Sequence, residues 1–124
     1  MRAYDSEFIA FAEEAAEKSD CKMKMGACLV KNKRVVSTGY NRWFGLNKVL
    51  TKYGLLWSLH AEMAALSNAP YNAGYGGTIY ISRMGNKMAK PCNRCSTIMA
   101  KAGISRIVYT AGGWPVSKYI EVRL

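Results

Sequence analysis

The first apolar rhythm in the chain is helical. Between Ser6 and Lys18 the residues Phe8, Ile9, Phe11, Ala12, Ala15 and Ala16 recur at spacings of three and four, with Ser6 placed to cap the start. After the polar pair Ser19-Asp20 the pattern changes. Two β-prone runs, 26–30 and 34–40, flank the short turn Lys31-Asn32-Lys33 and predict an antiparallel hairpin. Residues 41–57 show no period and read as irregular. His60 to Leu66, rich in Ala, Leu and Met, predicts a short helix that stops near Asn68-Ala69-Pro70. Gly76-Gly77 then precede a β-branched and aromatic run, 78–82, a third strand followed by a loop over 84–90. Pro91 suits the first position of a helix running from Cys92 to Ala102, which Gly103 ends. A fourth strand over 104–110 and a β-like tail over 118–124 complete the order α-β-β-α-β-α-β-β.

Two strand-to-strand steps in this order pass through a helix, which predicts parallel neighbours in a three-layer α/β domain with helices on both faces of a mixed five-stranded sheet. The last step differs. Only seven residues separate Thr110 from Lys118, too few for a crossover of a dozen or more, so the fifth strand is expected to return antiparallel.

Composition narrows the class. At 124 residues, with 50% hydrophobic and 21% charged residues and no repeat or low-complexity tract, the chain reads as one folded domain over 1–124. No apolar run approaches the ~18 residues of a membrane span, and Asp5 and Glu7 interrupt any basic-then-apolar leader, so the expected location is cytoplasmic. Eighteen Lys and Arg against eight acids give a formal charge of +10. That balance fits a polyanionic or phosphorylated partner, and equally a solvated basic face.

Four cysteines without a secretory signal point to metal or redox chemistry before disulfides. Cys92 and Cys95 stand one turn apart at a predicted helix start, where the dipole favours thiolate. The single histidine, His60, opens another helix. Two thiolates and an imidazole make a three-ligand zinc site with a fourth position left for water, the pattern of catalytic rather than structural zinc. A closed site with Cys21 or Cys28 as fourth ligand is the structural alternative, although Cys28, beside Leu29 in a strand, reads as core. Glu62, two residues after His60, lies where it can reach metal-bound water and serve as proton shuttle.

The motifs His60-Ala61-Glu62 and Pro91-Cys92-Asn93-Arg94-Cys95 match the H-x-E and P-C-x-x-C signature of zinc nucleobase deaminases. With Gly39-Tyr40-Asn41 and the element order, the chain resembles the cytidine and deoxycytidylate deaminase superfamily over nearly its whole length. The resemblance implies a cytidine-deaminase-like fold with Zn2+ on His60, Cys92 and Cys95 and Glu62 as catalytic proton carrier. It also implies that Asn41 hydrogen-bonds the sugar or base, that the Ala61 backbone orients the ring, and that the backbone around Pro91 and Cys92 receives departing ammonia.

Substrate signals are mixed. Residues 42–59 interleave Trp43, Phe44, Tyr53 and Trp57 with Arg42, Lys48 and Lys52, which suits a substrate wall that includes Trp57, a track for single-stranded nucleic acid, or an oligomer interface. Lys90 stands where mononucleotide and tRNA adenosine deaminases commonly carry Glu, and can meet a phosphate or stay solvated. The hairpin ending resembles free cytidine deaminases, whereas His60 and the Gly-Tyr-Asn motif look like the deoxycytidylate group. The expected function is hydrolytic deamination of cytosine to uracil in a free nucleoside or nucleotide, within a homo-oligomer if the family habit holds. The alternatives are a deaminase of single-stranded nucleic acid or tRNA and a catalytically idle, zinc-stapled nucleic-acid-binding module.

Overall fold

The computed structural model describes residues 4–43, 58–84, 88–112 and 119–124. Helix α1 (Asp5–Ala16) leads into the hairpin β1 (Met25–Lys31) and β2 (Arg34–Tyr40). A two-residue ladder of β3 (Arg42–Trp43) with β4 (Ser58–Leu59) precedes α2 (Ala61–Asn68). Strand β5 (Thr78–Arg83), helix α3 (Asn93–Lys101) and strands β6 (Arg106–Thr110) and β7 (Tyr119–Arg123) follow. The predicted order is found, with the β3–β4 ladder added at the borders of the stretch read as irregular.

The five long strands form one sheet in the order β2-β1-β5-β6-β7. Strand β7 runs antiparallel to β6, as the short connection requires, and β5 and β6 are parallel neighbours joined through α3. The other helical crossover does not join neighbours. Strand β1 lies between β2 and β5 and is antiparallel to both, which corrects the expectation of two parallel adjacent pairs. The cause is burial: Ala27, Cys28, Leu29 and Val30 are all covered, so β1 takes the interior place, while β2, with Ser37 and Thr38 only half-buried, tolerates the edge.

Alternation along the strands divides the core between two faces. Cys28, Val30, Tyr80 and Val108 point to Phe8, Ile9 and Ala12 of α1. Ala27, Leu29, Ile79, Ile81, Ile107 and Tyr109 point to Ala61 and Ala65 of α2 and Cys95 and Met99 of α3. Both sides depend on glycine. A Cβ on Gly26 would stand 2.0 Å from the Ala12 carbonyl oxygen of α1, and one on Gly39 would stand 2.3 Å from the Ala65 nitrogen of α2. The hairpin turn is tighter than the sequence suggested: Lys31 pairs with Arg34, leaving Asn32 and Lys33 at φ of 52° and 60° as a two-residue primed turn.

One polar network was not legible in the sequence. Asp5, fully buried in the first turn of α1, accepts both guanidinium Nη groups of buried Arg106 from β6, and takes a 2.5 Å hydrogen bond from the Tyr80 hydroxyl of β5. Arg106 Nε donates at 2.5 Å to Glu121 of β7, whose carboxylate it holds below the usual range. The same residue explains why α1 starts at Asp5 rather than after a Ser6 cap: the carboxylate is engaged by the sheet. Asp5→Ala strands a buried guanidinium, so unfolding free energy in urea is expected to fall by about 3–5 kcal/mol. A loss under about 1 kcal/mol would mean that the network does not anchor α1.

Candidate active site

Two helix starts converge at the edge where the parallel strands β5 and β6 end. His60 occupies the N-cap of α2 in extended backbone (φ −69°, ψ 149°), and its carbonyl accepts from Ala64 N–H at 2.9 Å. Cys92 occupies the N-cap of α3 (φ −71°, ψ 163°), and its sulfur accepts from the Cys95 backbone N–H at 3.4 Å. This capping explains why α3 begins one residue later than the sequence predicted, with Pro91 outside the helix. The approach to Cys92 is fixed by the Ala89 N–H, which donates to the Thr110 carbonyl of β6 at 2.9 Å.

The donor atoms of His60, Cys92 and Cys95 all lie within 4.8 Å of one another. His60 Nδ1 is 3.1 Å from Cys95 Sγ and 3.9 Å from Cys92 Sγ. A tetrahedral zinc with ordinary Zn–N and Zn–S bonds would set such N···S separations at about 3.6 Å, between the two values. Glu62, in the first turn of α2, is buried, with Oε1 3.9 Å from His60 Nδ1. Its Oε2 is buried without a hydrogen-bond partner among the described residues. Burial first, then the neighbouring Glu62 carboxylate, push the Cys95 thiol far above its ordinary range. The soft two-sulfur, one-nitrogen donor set suits zinc. The residues fit the metal.

The remaining sequence-predicted positions sort by place. Ala61 is fully buried at the start of α2, Pro91 is half-buried, and Lys90 is exposed two residues before Cys92. Asn41 is buried at the end of β2: Oδ1 accepts from Met25 N–H at 2.8 Å and Nδ2 donates to the Met23 carbonyl at 2.6 Å. Trp57 lies outside the described residues, as do Phe44, Lys48, Lys52 and Tyr53. Cys28 faces α1 on the opposite side of the sheet, its thiol pushed up to about 12 by burial, and Cys21 bonds locally to Ser19; neither joins the cluster.

Residues 2–111 match the model of the cytidine and deoxycytidylate deaminase zinc-binding region. The chain belongs to this deaminase family. Zinc is the cofactor of this family region, and the chain is an enzyme of the cytidine and deoxycytidylate deaminase type. It is 33% identical over 125 residues to the deoxycytidylate deaminase of Mycobacterium phage D29, covering 86% of this chain and 93% of that relative. It is 29% identical over 117 residues to human deoxycytidylate deaminase, where it spans 82% of itself but 61% of the longer relative. In fold it is similar to cytidine deaminase from Burkholderia pseudomallei, with TM-score 0.69 at 22% identity over 99% of this chain and 93% of that one.

One deaminase-site feature escaped the motif reading although the sequence carries it. Six of the eight acids, Asp5, Glu7, Glu13, Glu14, Glu17 and Asp20, precede residue 21. Beyond them only Glu62, buried in the site, and Glu121, held by Arg106, are acidic. Of the segments that frame the site, 39–43 and 88–95 carry the cations Arg42, Lys90 and Arg94, and neither they nor 58–62 carries a surface acid. A map of charge along the chain, in place of its total, exposes this. Metal analysis of the purified deaminase is expected to give about one zinc per chain and much less in Cys92→Ser. Full zinc content in that variant would place the metal elsewhere.

Proposed function

We propose that this protein hydrolyses the exocyclic amine of cytosine in a free deoxycytidylate-type nucleotide, consuming water and yielding the uracil nucleotide and ammonia. The observation that carries the reading is the His60, Cys92 and Cys95 cluster with a buried, unpartnered Glu62 oxygen at its edge. In this reading those three residues hold the metal within one domain over 1–124. Zinc bound there supplies water whose pKa falls to about 7. Glu62 does the proton work: its free oxygen would carry one proton of the attacking water to the ring nitrogen and then the second to the leaving amine, so that both protons of the water are accounted for in the uracil N–H and the ammonia. Burial keeps this carboxylate out of bulk solvent, so it relays protons within the site instead of exchanging them with water.

Further contacts follow from position. The Ala61 backbone, rigid in the first turn of α2, orients the ring, and the backbone at Pro91 and Cys92 faces the departing ammonia. Asn41 spends one acceptor and one donor on the Met25 and Met23 backbone, which leaves its second amide hydrogen and second lone pair for a sugar hydroxyl. Trp57 would close the site from the intervening loop, and Lys90 would attract the phosphate. Support for a nucleotide over a nucleoside comes from the phage relative, named a deoxycytidylate deaminase, and from framing segments that carry Arg42, Lys90 and Arg94 but no surface acid.

The test is product mass analysis after incubating zinc-loaded protein with deoxycytidylate, deoxycytidine, cytidine and a single-stranded oligonucleotide. Conversion of deoxycytidylate is expected, with Glu62→Gln keeping its zinc and fold yet losing activity by about 100-fold or more. Conversion of the oligonucleotide alone, or near wild-type turnover by Glu62→Gln, would overturn the reading.

A further inference from the structure

Arg42 stands next to the metal cluster by register and not by sequence. Its Cα partner across the β3–β4 ladder is Leu59, the residue directly before His60. The preceding residue is pinned. Besides its two amide bonds, Asn41 donates its backbone N–H to the Met25 carbonyl at 3.1 Å, and its own carbonyl accepts from Ser19 Oγ at 2.7 Å. The root of the Arg42 side chain is thus fixed relative to α2, while the side chain is exposed and makes no ion pair among the described residues. Lys90 stands on the other side of the cluster, two residues before Cys92, also exposed and likewise without an ion pair there.

We infer that Arg42 is the specificity residue for the substrate's 5′-phosphate, with Lys90 as the weaker second cation; the assignment rests on the deoxycytidylate reading above. A nucleotide whose cytosine lies at the metal carries its phosphate one sugar away, toward the rim. Of the three cations beside the ligands, Arg94 lies within α3 and is already engaged by the protein; of the other two, Arg42 carries a planar fork of donors, which matches phosphate oxygens in pairs, whereas the Lys90 ammonium acts as a point charge. No surface acid on the framing segments competes for the guanidinium, the one acid there, Glu62, being buried. A free nucleoside would leave it without an anion, so the residue discriminates by phosphate and leaves the base to the metal end of the site.

Zinc-loaded wild type, Arg42→Ala, Arg42→Lys and Arg34→Ala are compared by calorimetric titration with dUMP and deoxyuridine, and by kcat/KM for dCMP and deoxycytidine. Arg34 carries the same charge at the far tip of the hairpin, opposite Lys31. Wild type is expected to bind dUMP at least about tenfold tighter than deoxyuridine. Arg42→Ala should remove most of that preference and Arg42→Lys part of it, while Arg34→Ala keeps it within about twofold. Equal weakening of dUMP by Arg42→Ala and Arg34→Ala would reduce the effect to general charge and overturn the inference. Equal weakening of dUMP and deoxyuridine by Arg42→Ala would reveal a merely structural role and overturn it too. If wild type converts dCMP and its preference survives Arg42→Ala, the arginine assignment alone fails. If wild type converts no dCMP, the functional reading beneath it fails.

Discussion

The contact of α2 with β2 at Gly39 sets the position of nearly everything at the site. Helix backbone meets strand backbone where any Cβ would collide with the Ala65 nitrogen, so the helix lies flush against the edge strand. Its first residues, His60 as cap and Glu62 in the first turn, are thereby held at a fixed height above the sheet. The β3–β4 ladder and the Asn41 bonds to residues 23–25 continue the same surface and lead to the His60, Cys92 and Cys95 cluster. Gly39 belongs to the Gly-Tyr-Asn motif, and its contribution is mechanical: without it the imidazole would be lifted away from the sulfurs on α3.

Those sulfurs arrive by an independent route, from α3 after β5. Each start presents backbone N–H groups that favour negative charge, and the thiol of Cys95 is buried beside a carboxylate. A divalent cation held by His60, Cys92 and Cys95 would draw both sulfurs and the imidazole to one point, which would make metal affinity and the mutual placement of α2 and α3 parts of one free energy.

Much of this could be read from the chain before its fold was known. The helical rhythm of Phe8, Ile9 and Ala12, the β-runs and the Pro-Cys-x-x-Cys spacing are local signals, and local signals survive in a linear text. What was hidden is long-range. The interior place of β1 depends on how its burial compares with that of β2, and the Arg42–Leu59 pairing joins residues on either side of a long aperiodic stretch. Cys92 acting as cap instead of Pro91 starting the helix reflects a sulfur that accepts from Cys95 N–H, a bond propensity rules do not include. Arg106 reads as an edge residue of a strand, because nothing near it announces an aspartate 101 positions away.

That last separation bears on the order in which the molecule assembles. Asp5 precedes its partners in the chain: the Tyr80 hydroxyl and the Arg106 guanidinium lie far downstream, and Arg106 itself is completed by Glu121 of β7. A nascent chain on the ribosome can form α1 and the hairpin, but seating that helix against the sheet would bury a carboxylate with nothing to neutralise it. The helix must wait. Docking of α1 is thus deferred until β6 and β7 have emerged, and the face of the sheet that α1 covers closes only after them.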